Sequence, residues 1–113
     1  MSTNQWTKED LVAYVLLYVA HSDLEETKKE QQYIMSRVDA TTYEHIKEEF
    51  DNDNDYQSIS KIVDAVQHEH LYNNNLDELF ADIKLMAFAD GEMSQMELAI
   101  YHYLKKILKK DNN

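Results

Sequence analysis

The chain has 113 residues, enough for one hydrophobic core and too few for two, so it reads as a single domain over 1–113 with an ordered core from about residue 7 to 109. It carries 22 acidic against 11 basic residues, and the resulting net charge of −11 excludes a nucleic-acid partner, because phosphate binding needs a basic surface. The absence of cysteine excludes disulfides, thiolate catalysis and cysteine-ligated zinc, and it accords with a reducing cytoplasm.

With no proline and a single glycine, few residues interrupt helix, and the apolar spacing predicts helices in succession. The first runs from Thr7 through Ala20, with Thr7 and Asp10 set as a capping box. Its apolar run, "LVAYVLLYVA", is shorter than the roughly 17 to 25 residues of a membrane span, and Lys8-Glu9-Asp10 stands where a signal peptide has basic residues. It reads as a central helix buried on most sides. After the polar break "HSDLEE", a second helix is expected from about Glu26 to Val38, with Tyr33, Ile34 and Val38 as a thin buried stripe.

"DATTYEHIKEEF" predicts an N-cap at Thr41 or Thr42 and a short helix through Phe50, followed by "DNDNDYQ" as a polar loop. "SISKIVDAVQHEHLY" resumes the helix through Ile59, Ile62, Val63 and Val66. The next helix takes Asn75 as N-cap and carries Leu76, Leu79, Phe80, Ile83, Met86 and Ala87 at helical spacing up to Ala89. The last carries Met96, Ile100, Tyr103 or Leu104, Ile107 and Leu108. No stretch alternates with period two, so the fold expected is an all-α compact bundle of about six helices. Of Tyr14, Tyr18, Tyr33, Tyr43, Tyr101 and Tyr103, most are expected to pack their rings and point their hydroxyls at solvent.

"FADGEMSQMELAIYHYL" holds the lone glycine. Gly91 suits the left-handed position that ends a helix, and Ser94 three residues before Glu97 is a capping box for the next. Asp90, Glu92 and Glu97 then gather at one helix–helix corner, where close carboxylates repel unless something positive sits between them. The N-terminal half echoes the corner. "YVAHSDLEETKKEQQYI" lays over it with Ala20 on Ala89, His21 on Asp90, Ser22 on Gly91 and Asp23 on Glu92, and a two-residue insertion brings Glu30 onto Glu97. Two pseudo-repeated helix-turn-helix halves about an approximate twofold are the expected architecture.

An apolar helix followed by Ala89, Asp90, Gly91, Glu92, Met93, Ser94 and Glu97 resembles the signature of the TerB family of tellurite-resistance-associated proteins, whose pattern is A-D-G-acidic-apolar-S-x-x-E. The resemblance covers about residues 8 to 109, with His21 and Ser22 departing from the family's Asp-Gly in the first copy. It implies a non-enzymatic helical module of stress-response protein complexes near the membrane. It also implies a divalent metal at the acidic corners, held by Asp90, Glu92 and Glu97 and, at the imperfect copy, by Asp23 and Glu30. Oxygen donors of this kind favour calcium or magnesium. The alternative is a metal-free adaptor whose acidic face docks a basic or membrane-associated protein partner.

Other constellations carry less. "DNDNDYQSISKIVD" has aspartates in the rhythm of an EF-hand loop, but Tyr56 fills the glycine position and Ile62 the bidentate acid, so an acidic solvated loop is expected. His68 and His70 fall on different helix faces, His45 and His102 are isolated, and His21 is expected to be structural or solvated, the alternative being a transition-metal site shared with Asp23. Lys105, Lys106, Lys109 and Lys110 are expected to complement the dipole of the last helix, with a basic patch as the alternative. No nucleophile elbow, phosphate loop or metalloprotease motif is present, and no enzymatic activity is expected.

Overall fold

The computed structural model describes residues 6–23, 27–68, 76–91 and 93–108, and for Asp23, Gln67, His68 and Asp90 the backbone alone. It is an all-α bundle of six α-helices: α1 (Lys8–Ala20), α2 (Lys28–Arg37), α3 (Ala40–Asn52), α4 (Asp55–Val63), α5 (Leu76–Ala87) and α6 (Gln95–Leu108). Short 3-10 turns follow α1 (His21–Asp23) and α5 (Phe88–Asp90), and a π-helical turn (Asp64–His68) extends α4. No strand occurs among the described residues, and none of their helices is long and apolar enough to cross a membrane.

The helix starts follow from side-chain caps that satisfy backbone donors without a helical partner. Thr7 and Asp10 form the expected capping box on α1. α2 begins two residues later than the apolar pattern predicts, at Lys28, because Thr27 and Glu30 make a reciprocal box there. Asp39, and neither Thr41 nor Thr42, caps α3, with its carboxylate accepting from the Thr42 N–H at 2.8 Å. α3 then runs past Phe50 into the predicted polar loop as far as Asn52. The break shrinks to Asp53-Asn54, since Asn54 and Gln57 form a box that restarts the chain as α4. The expected cap at Asn75 lies outside the described residues.

α1 is the axis of the core. Every residue from Leu11 to Ala20 is buried, because helices cover it on both sides. α5 and α6 pack on one side with α2; α3 and α4 lie against the other.

The duplication is present, with a register two residues from the sequence reading. Ala20 and Ala87 end the paired helices, Asp23 and Asp90 end the 3-10 turns, and Lys28 and Gln95 open the following helices. Each pair is 67 residues apart (20 to 87, 23 to 90, 28 to 95), so no insertion is needed. Asp23 therefore matches Asp90 instead of Glu92, and Thr27 and Glu30 match Ser94 and Glu97. The eye aligns Ala20 with Ala89 because it places the only Asp-Gly directly after the apolar run. α1 ends at Ala20 as expected, but α5 ends two residues earlier than that pairing requires, at Ala87, and a 3-10 turn intervenes. Packing obeys the same symmetry: α6 sits on the first 3-10 turn and α2 on the second, while α1 and α5 cross between them.

The insert α3–α4 breaks the twofold. It covers one face of α1, where Leu11, Tyr14, Leu17 and Tyr18 are buried. Their counterparts on α5, namely Glu78, Ala81, Lys84 and Leu85, are exposed with no equivalent helix pair on top among the described residues, and so is Phe88 beyond them. Leu17→Ala should accordingly cost about 2–5 kcal/mol, the usual range for emptying a packed leucine site. Leu85→Ala, 59% exposed, should cost no more than about 0.5 kcal/mol. Urea unfolding of the two variants checks the asymmetry; equal losses would contradict it.

Candidate functional site

Both acidic corners are built the same way. After α5, Gly91 adopts φ 104° and donates its N–H to the Phe88 carbonyl at 2.8 Å. That left-handed conformation is strained for any residue with a Cβ, although the space around Gly91 is open, so the demand for glycine is conformational and not steric. Ser94 then caps α6: its Oγ accepts from the Glu97 N–H at 3.0 Å, and its own N–H donates to Glu97 Oε1 at 3.0 Å. At the first corner Thr27 and Glu30 repeat the exchange at 3.1 and 3.0 Å.

Glu30 and Glu97 are each only 3% exposed, a rare degree of burial for glutamate. Each is stabilised there by the cap N–H and by the positive end of its own helix. These two candidate ligands thus have a structural duty. Asp23 and Asp90 end the 3-10 turns that precede them; their side chains, and Glu92 altogether, lie outside the described residues. Among the described residues no three acidic or imidazole side chains converge as a metal site would require.

A second polar system lies where the sequence promised a solvated loop. Tyr14 is fully buried, yet its hydroxyl donates to Asp53 Oδ2 at 2.5 Å and shares a hydrogen bond with Ser58 Oγ at 3.0 Å. Lys61 Nζ lies 2.8 Å from the same Asp53 oxygen and 2.7 Å from Glu49 Oε2, and Glu49 accepts from the Trp6 indole at 3.3 Å. One turn along α1, Tyr18 donates to Asp55 at 2.8 Å. On the opposite side, Tyr33 and Arg37 of α2 both donate to the buried Asp82 of α5, at 3.2 Å each. Three tyrosine hydroxyls expected in solvent are therefore spent on carboxylates inside the fold.

These contacts displace the acid–base behaviour of the groups. Burial, and then the neighbouring Asp53 carboxylate, push the Tyr14 phenol well above its ordinary range. Burial and Asp55 do the same to Tyr18, and burial and Asp82 raise Tyr33. Burial alone would lower the Lys61 ammonium, but the hydrogen bonds and charges of Asp53 and Glu49 together outweigh it and hold the group above the usual lysine value. The arrangement is a set of closed ion pairs and hydrogen bonds.

Of the histidines, His21 lies with its ring centroid 5.1 Å from that of Phe50, and His102 stands beside Tyr101 at 5.6 Å. His70, Lys109 and Lys110 lie outside the described residues; Lys105 reaches over the Tyr101 ring at 5.5 Å to its centroid. The sequence did hold a signal for the tyrosine seam: Tyr14 and Tyr18 are one helical turn apart, and Asp53 and Asp55 present two acceptors at a helix junction. Comparison with family models, curated proteins and solved structures gives no match.

Two outcomes follow for this seam. Lys61→Ala leaves Glu49 and Asp53 facing each other without their cation, and should lower the unfolding free energy by about 1–3 kcal/mol, read by urea denaturation. The raised phenols make the folded state hold protons that the unfolded chain releases above its ordinary tyrosine pKa of about 10. The stability they contribute is thus complete below pH 10 and falls as pH rises toward their folded values. Denaturant midpoints from pH 8 to 11 should decline above pH 10, less steeply in Tyr18→Phe; a flat profile would contradict the raised pKa values.

Proposed function

We propose that the chain is a non-enzymatic TerB-like helical module that binds a divalent cation at its acidic corners and serves a stress-response complex. The observation that carries the reading is the twice-built corner. In the register set by the helices, Asp23, Glu25, Thr27 and Glu30 stand where Asp90, Glu92, Ser94 and Glu97 stand, with the same spacing. The first copy thereby regains the aspartate it lacks in the sequence-only alignment, keeps a hydroxyl at Thr27, and departs from the family pattern at Ser22, Leu24 and Glu26, in the places of Ala89, Gly91 and Met93.

The donors are all oxygen, which suits calcium or magnesium. A carboxylate has two oxygens and about four acceptor directions, so the bond to the helix cap leaves Glu97 coordination capacity. The aspartates and Glu25 and Glu92 would complete such a set. Bound cation would relieve the repulsion within each corner, and the caps would hold one member of each set in place before the ion arrives.

Glutamine completes a capping box as well as glutamate does, and this separates the two duties of the corner. Thermal melts with millimolar calcium or magnesium should show stabilisation in the parent chain that is lost in Asp23→Asn/Asp90→Asn and reduced in Glu97→Gln, while Glu97→Gln without metal stays close to the parent. If no ion shifts the parent's midpoint, the cation reading fails.

One observation favours the second reading, a metal-free adaptor for a basic or membrane-associated protein. Glu30 and Glu97 are already used as caps, so their presence does not by itself call for an ion. Capture of such a partner would survive chelator and weaken as salt screens the acidic face.

A further inference from the structure

A cleft of about 300 Å³ opens between the first 3-10 turn, the end of α3, the α3–α4 junction and α6. Its walls are mixed, with His21, Ser22, Asn54 and Ser58 among the polar lining. The rings of Tyr18 and Phe50, with Met96 and Ile100 from α6, supply apolar surface, and Met96 is 53% exposed. Asp55 supplies charge. Its neighbour Asp53 is neutralised by Lys61 at 2.8 Å, but Asp55 has only the Tyr18 hydroxyl at 2.8 Å, and no cation pairs with it among the described residues.

We propose that this cleft binds an organic monocation with an apolar body, an ammonium or guanidinium group carried on an alkyl or aryl stem. An anion would meet Asp55 unfavourably, and a neutral apolar molecule would cover the wall while burying the carboxylate unpaired. A divalent metal would find one uncompensated carboxylate where it needs several oxygens. An amphipathic cation answers both walls together. Its stem packs on Met96 and Ile100, its head pairs with Asp55, and the Tyr18 and Phe50 rings offer faces that attract positive charge. The volume fits a group the size of one side chain, at the small end of ligand pockets, and the net charge of −11 enriches cations around the chain. The charged wall of the cleft belongs to the α3–α4 insert, and the first 3-10 turn and α6 supply the rest of its lining.

The test is an NMR titration of the full chain in the presence of chelator. The probes are phenethylammonium and a capped Gly-Arg-Gly tripeptide; 2-phenylethanol and the citrulline tripeptide serve as neutral counterparts. At least one cation should bind about tenfold or more tightly than its neutral counterpart, with shifts centred on Ser22, Asp55, Met96 and Ile100. Asp55→Asn keeps an acceptor for Tyr18 and should abolish the discrimination. Met96→Lys, at an exposed position, places an ammonium in the cleft from the chain itself and should weaken the cation about tenfold or more. Glu44→Gln, on the solvent side of α3, should leave binding intact. Binding of the amine alone identifies a free small molecule as the natural ligand class; binding of the arginine tripeptide identifies a partner's basic side chain. The proposal is overturned if neither cation binds, if the neutral counterparts bind equally well, or if both Asp55→Asn and Met96→Lys leave binding unchanged.

Discussion

The fold depends on a helix that cannot meet water on any side. From Leu11 to Ala20, α1 is buried without interruption, and a helix apolar all round is stable only where other elements surround it. Each remaining element can be read as part of that enclosure. α5, α2 and α6 close one half of the circumference and α3 with α4 the other, and leaving either side off would expose leucines, valines and tyrosines that no cap or charge could compensate.

Enclosure creates a second problem, because α1 carries two phenols into the interior. Tyr14 and Tyr18 cannot be buried without partners, and the α3–α4 junction provides them in Asp53 and Asp55. The carboxylates in turn need positive charge or solvent. Asp53 takes Lys61, shared with Glu49, while Asp55 stays at the surface and faces the cleft. The polar seam and the cleft are thus consequences of covering α1 with a helical insert, whereas the two corners are consequences of the repeat.

Much of this was legible in the residues. The all-α class, the buried α1 and the boxes at Thr7 and Ser94 follow from spacing and cap chemistry that act within a few residues. What was not legible is non-local or competitive. Thr27 over Glu26, and Asp39 over Thr41 or Thr42, are contests between several adequate caps that only the packed helix decides. Asp53 reads as loop because it is charged and flanked by asparagines, and nothing nearby in the chain announces that a tyrosine 39 residues away will claim it. The repeat was visible but misregistered, since the 3-10 turn after α5 opens with Phe88 and Ala89 and carries the apolar pattern past the true helix end, whereas the turn after α1 opens with the polar His21 and Ser22. Of the candidate ligands, Glu97 was legible as a cap partner and Glu30 was not, and the burial of both went unread.

The chain's single tryptophan occupies a telling place. Trp6 precedes α1, lies 4.7 Å from Tyr14 between ring centroids, and donates to Glu49 of α3, a member of the Lys61 seam. Its surroundings are therefore assembled only when α1, α3 and α4 have docked together. The molecule carries its own optical gauge of that docking: indole emission follows the closure of the insert over the central helix, and the repeated half, which has no tryptophan, stays dark.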